Sequence, residues 1–105
     1  MSGKTVTLSH RTEQILEGIG LRIRKARLRR NLSVELLAKQ AGISKFTLSA
    51  IQKGASTVSI GAYASVLAVL ELDSDFELIA LDEERKKLLW KQNLRRRERA
   101  SKRKG

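Results

Sequence analysis

The side chains in this sequence that could do chemistry are cationic and hydroxylic, and several of them are grouped within residues 33–57. Lys45 can donate to the O6 and N7 acceptors of guanine, and Phe46 suits the methyl group of thymine. Serine and threonine hydroxyls, together with backbone N–H groups left free at helix starts, suit phosphate oxygens. This combination indicates recognition of a nucleic acid.

Catalytic and metal-binding chemistry has no comparable support. The sequence contains no cysteine and one histidine, His10, so a metal site would lack its usual sulfur and nitrogen ligands. We expect His10 to be a solvated side chain. The serines stand at predicted helix starts without a base beside them, which indicates capping rather than nucleophilic catalysis. We therefore expect no enzyme activity, no catalytic residue, no metal and no cofactor.

The charge is strongly basic and unevenly distributed, with a formal net charge of +11. Residues 22–53 hold nine bases and a single acid, whereas residues 71–84 hold seven acids. Residues 85–105 hold eleven bases and one acid. We expect one face of the folded part to be positive and to attract phosphate in a salt-sensitive manner.

Length and composition predict one small helical domain. At 105 residues the chain has room for a single modest core. The absence of proline and the few aromatic residues favour helices over a sheet. No apolar run reaches the length of about 18 residues that a membrane span needs, and no signal-peptide core is present. We expect a cytoplasmic protein, associated with the nucleoid when bound to DNA, with no membrane partner.

We expect three regions along the chain. Residues 1–8 form a flexible N-terminal arm, residues 9–82 a DNA-binding domain, and residues 83–105 a basic tail. The last part of that tail is expected to be disordered when free, because like charges repel and nothing there can be buried. The tail is expected to follow phosphates or to wrap a partner, and a purely solubilising end is the alternative.

Helix starts are predicted by four serines that can cap free N–H groups: Ser9, Ser33, Ser44 and Ser59. In the first helix, Gly18 and Gly20 mark either a close packing contact or a delayed start. Asn31 suits the left-handed residue that ends that helix. After the fourth helix, residues 73–75 are expected to cap a short fifth helix over 76–81. The alternating pattern there also permits a strand, and we favour the helix.

The second and third helices are predicted to form a helix-turn-helix. They cover residues 34–40 and 45–53, and they are joined by a turn in which Gly42 supplies a positive φ; Gly54 ends the second of them. Two short helices joined by a glycine-containing turn are typical of DNA-reading units, in which the second helix enters the major groove. With Leu48 and Ile51 facing inward, the predicted base-facing residues are Ser44, Lys45, Phe46, Ser49 and Ala50. The predicted phosphate contacts are Ser33, Thr47, Lys53, Ser56 and Thr57.

Apolar residues on the fourth helix exceed what a monomer core is expected to need. One stripe contains Ile60, Ala64, Leu67 and Leu70, and a second edge adds Val66 and Val69. We expect Val66, Val69 and Leu72 to form a dimer face, with core filling as the alternative. Trp90 is expected either to anchor a partner, since tryptophan is enriched at binding hot spots, or to close the core of its own chain. Phe46 has two alternatives to base contact: an isolated surface aromatic, or packing on a dimer mate.

The segment "RIRKARLRRNLSVELLAKQAGISKFTLSAIQKG" lies within a stretch, residues 20–72, that resembles the lambda-repressor-like (Xre-type) family of DNA-binding domains. The resemblance implies an all-α domain of four to five helices, with the segment after Ser44 in the major groove. It also implies a homodimer on a near-palindromic double-stranded DNA operator. The chain departs from the family at Gln52, where many members carry a glutamate paired with an arginine at the Arg27 position. It departs again at Val34, where many carry a phosphate-contacting glutamine.

Two longer segments, "HRTEQILEGIGLRIRKARLRRNLSVELLAKQAGIS" and "STVSIGAYASVLAVLEL", resemble HipB-like regulators. These are DNA-binding antitoxin subunits encoded beside HipA-like serine/threonine kinases. The resemblance implies repression of the chain's own operon and a kinase toxin as partner, in some operons with a separate small third component. The alternatives are a stand-alone or phage-type repressor without a toxin, and a non-specific architectural nucleic-acid binder driven by the tail.

Overall fold

Each of the four α-helices between residues 10 and 69 begins directly after a capping serine. In this computed structural model, which describes residues 6–83 and 87–91, the helices are α1 (His10–Arg29), α2 (Val34–Ala41), α3 (Lys45–Gln52) and α4 (Ile60–Val69). The hydroxyl oxygen of each preceding serine accepts from the backbone N–H three residues later, at 3.0–3.2 Å. Such a cap typically stabilises a helix by about 1 kcal/mol. The four predicted caps are confirmed.

The first helix is continuous through both of its central glycines. It begins at His10, so the alternative of a delayed start is wrong. The helix ends where Asn31 adopts a positive φ of 54°, as predicted. The N–H groups of Asn31 and Leu32 then donate to the carbonyls of Leu28 and Arg27 at 3.0 and 3.2 Å, which satisfies acceptors that a helix end leaves open.

The core is formed by apolar residues from all four α-helices. The five largest fully buried side chains are Leu37, Leu48, Ile51, Val66 and Leu70. Full burial of such a side chain contributes about 1.5–3 kcal/mol. The predicted inward orientation of Leu48 and Ile51 is confirmed. The all-α class is confirmed as well, since no strand occurs within residues 6–83 and 87–91.

Val66 lies in the monomer core, with 0% of its side chain exposed, so the prediction that it forms part of a dimer face is wrong. The reason is geometric. Val66, Leu67 and Leu70 fall within an arc of about 100° on one side of the helix, and all three are buried. Ile60, the first residue of the predicted stripe, is instead 67% exposed.

Beyond α4, the backbone forms a 3₁₀ helix, Asp73–Leu78. The predicted short fifth helix is therefore present as a 3₁₀ helix, but it begins and ends three residues earlier than the expected range of 76–81, and the strand alternative is wrong. None of the residues in this element is buried, so no packing supports a longer α-helix. Positive φ values at Glu71 and Ala80 flank the element.

The chain divides into two units, residues 1–73 and residues 74–105. In the second unit, residues 82–83 and 87–91 are helical. Residues 1–5 of the predicted arm and residues 92–105 of the predicted tail lie outside the described residues. Among the helices that are described, none is long and apolar enough to cross a membrane.

Candidate nucleic-acid interface

The α3 helix is held against α1 by direct backbone contact at Gly20. A Cβ atom placed on Gly20 would lie 2.6 Å from the carbonyl oxygens of Ile51 and Gln52 and from the amide nitrogen of Gly54. Only glycine allows the two backbones to approach so closely. The predicted packing role of Gly20 is confirmed. Gly18 differs, because its Cβ would meet only the end of the Arg22 side chain, at 3.2 Å.

The end of α3 is fixed by Gly54, as predicted. Gly54 has a φ of 76°, and a Cβ atom there would contact the backbone of Leu16 and Glu17 in α1. Both its conformation and its surroundings therefore require glycine. Two contacts to α1, at Gly20 and at Gly54, thus fix the C-terminal half of α3.

Arg27 links α1 to the last residue of α3 through neutral acceptors. Arg27 is 8% exposed, and its Nε donates to Oε1 of Gln52 at 2.8 Å. A second nitrogen donates to the carbonyl oxygen of Leu32 at 2.8 Å. This hydrogen bond takes the place of the arginine–glutamate pair that the family resemblance implies at these two positions.

The turn between α2 and α3 depends on Gly42 and on a brace from α4. Gly42 has a φ of 74°, as predicted, and the N–H of Ile43 donates to the carbonyl of Ala38 at 3.0 Å. The Ser65 hydroxyl donates to the carbonyl oxygen of Ala41, the last residue of α2, at 2.6 Å. The α4 helix therefore holds the C-terminal end of α2 through this hydrogen bond.

The outer side of α3 carries the predicted base-facing residues. Phe46 is 86% exposed, Ser44, Lys45 and Ser49 are exposed, and Ala50 is half-buried. Phe46, Ser49, Ala50 and Lys53 follow the spacing i, i+3, i+4 and i+7, so they share one side of the helix. On the opposite side, Leu48 and Ile51 are fully buried. The structure thus brings Phe46, Ser49 and Ala50 together on one accessible face, with Ser44 and Lys45 exposed at the start of the helix, and base contact stays a prediction.

Ser44 and Thr47 form a hydroxyl pair at the start of α3. The Ser44 hydroxyl accepts from the Thr47 N–H at 3.0 Å, and the two hydroxyl groups are hydrogen-bonded to each other at 3.0 Å. Each hydroxyl carries one proton, so one proton of the pair is used between the two side chains and the other can be donated to a phosphate oxygen.

The remaining predicted phosphate residues lie at the start of α2, at the end of α3 and in the loop that follows α3. Ser33, Lys53, Ser56 and Thr57 are all exposed. Residues 53–57 line a groove together with Leu8, Leu16 and the carboxylates of Glu13 and Glu17. Sequence reasoning missed these two acids, which repel phosphate on that side. Their spacing of i, i+4 in the first helix shows that they share a face, but it does not reveal that the loop packs beside them.

The basic side chains of residues 22–53 are accessible to solvent. Apart from the buried Arg27, every lysine and arginine within residues 22–53 is exposed. Such side chains can exchange counterions for phosphates, which makes binding salt-dependent. Across residues 6–83 and 87–91, no three histidine, aspartate or glutamate side chains are grouped so that they could hold a metal ion.

Comparison with known proteins places this geometry in context. A family model described as a helix-turn-helix domain matches residues 19–78. A solved chain titled "SinR protein/SinI protein complex" is 31% identical in sequence, and the match covers 82% of this chain and 97% of that one, with a TM-score of 0.49. No curated protein matches the chain.

Proposed function

The chain belongs to the helix-turn-helix domain family of DNA-binding transcriptional regulators, and we propose that it is a sequence-specific repressor that serves as the HipB-like antitoxin of a HipA-like kinase. In this proposal it binds a near-palindromic operator as a homodimer and represses its own operon. The kinase, in some operons with a small third component, is its protein partner. The protein acts in the cytoplasm, at the nucleoid when it is bound to DNA.

The observation that carries the DNA-binding part is the presentation of α3. Its inner side chains are fully buried, its C-terminal end is fixed by glycine contacts to α1, and Phe46 on its outer side is 86% exposed. The phenyl ring of Phe46 presents apolar surface to water. Exposed apolar surface of this kind is typical of a site that a binding partner covers. A helix about 10–12 Å wide fits a major groove of about 12 Å.

In the major groove of the DNA, each of these residues makes a specific contact in this proposal. Lys45 donates to guanine, Phe46 contacts a thymine methyl, and Ala50 is small enough to let the helix approach closely. Thr47 donates its hydroxyl proton to a phosphate at the edge of the major groove. Since few of these side chains form hydrogen bonds to bases, much of the affinity comes from the exposed arginines and lysines of residues 22–53.

The antitoxin part of the proposal is supported by the sequence segments that resemble HipB-like regulators and by exposed apolar residues in the second unit. Leu89 is 54% exposed and Trp90 65% exposed. An accessible tryptophan beside a leucine is typical of a hot spot in a protein interface. Val69 and Leu72 are partly exposed and remain the proposed dimer contacts.

The first experiment selects an operator from a randomised duplex library and compares variants on that operator and on random DNA. We expect Lys45→Ala and Phe46→Ala each to cost about 1–3 kcal/mol on the operator and little on random DNA. Lys39→Ala is the matched control, since it removes an exposed lysine from α2 without touching the predicted base-facing set. Equal losses on both DNAs for Lys45→Ala and Phe46→Ala would indicate an architectural binder rather than a base-reading repressor.

The second experiment tests the partner. A HipA-like kinase encoded beside this chain is expected to co-purify with it when both are expressed together, and Trp90→Ala is expected to weaken that complex. If no kinase-like gene adjoins this one and none co-purifies, the antitoxin role is wrong and the protein is a stand-alone repressor. The dimer is tested separately by sedimentation at micromolar concentration, where a monomer contradicts it.

A further inference from the structure

Tyr63 on α4 is hydrogen-bonded to the loop that follows α3. Its hydroxyl donates to the carbonyl oxygen of Ala55 at 2.6 Å, and burial raises the pKa of the phenol. Ala55 is the residue after Gly54 and precedes Ser56 and Thr57, the loop residues with exposed side chains. Tyr63 therefore acts on the backbone of a segment that is predicted to contact phosphate.

The hydrogen bond to Ala55 determines the direction of a neighbouring donor. The carbonyl of Ala55 and the N–H of Ser56 belong to one planar trans peptide unit, in which the C=O and N–H bonds point in opposite directions. With the carbonyl held by Tyr63, the Ser56 N–H is directed away from the Tyr63 hydroxyl. Within residues 6–83 and 87–91, no hydrogen bond from the N–H of Ser56 or Thr57 to a protein acceptor is formed.

We propose that Tyr63 is a positioning residue for DNA binding: by holding the Ala55 carbonyl it directs the Ser56 N–H at one phosphate of the DNA backbone. The assignment rests on the proposed DNA-binding function. The hydroxyl of Tyr63 also polarises the shared peptide unit, which strengthens the N–H as a donor.

The surroundings explain why direction matters at this loop. Glu13 and Glu17 line the same groove as Ser56 and Thr57, so the local charge does not by itself draw a phosphate there. A neutral donor contributes through distance and angle, and its strength drops steeply when the angle is poor. A fixed peptide plane is therefore needed for this contact to form.

The test compares Tyr63→Phe with Ser65→Ala. Both variants remove the donor of a 2.6 Å hydrogen bond from α4 to a backbone carbonyl, but Ser65 bonds to Ala41 at the end of α2 rather than to the loop. The probe is a selected operator duplex in which single phosphates are replaced by uncharged methylphosphonates. Affinity is measured by fluorescence anisotropy for the wild type and for both variants.

For the wild type and Ser65→Ala, we expect one phosphate in each half-site where the methylphosphonate lowers affinity about tenfold, as for loss of one hydrogen bond to a charged group. For Tyr63→Phe, affinity on the unmodified operator is expected to be about tenfold lower, and that same methylphosphonate is expected to have no further effect. The salt dependence should be equal for all three proteins, because neither substitution removes a charged group.

The assignment is overturned if Tyr63→Phe gives the same phosphate profile as the wild type, since Tyr63 would then stabilise the fold only. If Tyr63→Phe does not fold, amide hydrogen exchange of the wild type decides the question. The operator is expected to slow exchange of the Ser56 N–H, and unchanged exchange overturns the assignment. If the selection yields no operator, the proposed sequence-specific DNA binding is wrong, and the assignment of Tyr63 fails because it rests on that function. An unchanged phosphate profile on a selected operator, in contrast, overturns the assignment of Tyr63 alone.

Discussion

Replacing Gly20 by alanine is expected to destabilise the protein even though alanine is the better helix former. The added Cβ would lie 2.6 Å from three backbone atoms at the end of α3, and backbone atoms cannot rotate away as a side chain can. Reaching an ordinary contact requires α1 and α3 to separate by roughly 1 Å, which strains the packing of Ile51 and the hydrogen bond from Arg27 to Gln52. Overpacking of this kind costs about 1–3 kcal/mol or more, against a gain of about 1 kcal/mol in helix propensity.

The matched control is Gly18→Ala on the same helix. Its Cβ would meet only the flexible end of the Arg22 side chain, at 3.2 Å, so the propensity gain of up to about 1 kcal/mol is expected to dominate. Urea unfolding followed by circular dichroism measures the free energy of unfolding of both variants and the wild type. We expect opposite signs for the two substitutions. Equal stabilisation by both would refute the close backbone contact between α1 and α3.

Three further predictions concern a hydrogen bond, a titration and the tail. Gln52→Ala is expected to lower the free energy of unfolding by about 1–3 kcal/mol, because the buried Arg27 loses an acceptor. The control, Gln40→Ala at an exposed position, should change the free energy of unfolding by less than about 0.5 kcal/mol. Equal effects of the two substitutions would contradict a structural role for the hydrogen bond from Arg27 to Gln52. Burial raises the pKa of Tyr63 above 10.0, so its contribution to stability is complete below the unfolded-state pKa and is lost as the pH rises through the folded-state pKa. The urea midpoint of unfolding should therefore decrease more for the wild type than for Tyr63→Phe as the pH rises from about 8 to about 11, a range that spans the ordinary tyrosine pKa. Parallel plots of midpoint against pH for the two proteins would be evidence against this linkage. Deleting residues 92–105 should reduce the slope of log affinity against log salt by about 0.9 for each phosphate that the shortened chain no longer neutralises, and an unchanged slope would assign the tail to a protein partner.

The local features of this fold could be predicted from the sequence because local rules determine them. A serine at each helix start and a glycine in the turn depend on the hydrogen-bonding capacity and the allowed φ of single residues. The inward orientation of Leu48 and Ile51 followed from helical spacing alone. The same spacing predicted which residues share the outer side of α3.

Features that depend on how helices pack could not be predicted in the same way. The apolar surface of α4 is broad, so its sequence does not reveal which arc faces the core, and the prediction for Val66 was wrong for that reason. The hydrogen bond from Tyr63 to Ala55, like the proximity of Glu13 to the loop, joins residues on separate elements and has no signature in local spacing. The short 3₁₀ helix at Asp73–Leu78 buries none of its residues, so the spacing of its apolar residues does not reflect packing and could not predict its bounds.

Because Gln52 is neutral, its hydrogen bond to Arg27 makes the junction of α1 and α3 less sensitive to pH and to salt than a carboxylate at this position would. A glutamate at this position would gain a proton in acid and lose its attraction for the arginine, and added salt would partly screen the pair. The amide oxygen of Gln52 has no proton to gain and no charge to screen. Salt concentrations that weaken contacts to phosphate are therefore expected to leave this link between α1 and α3 in place.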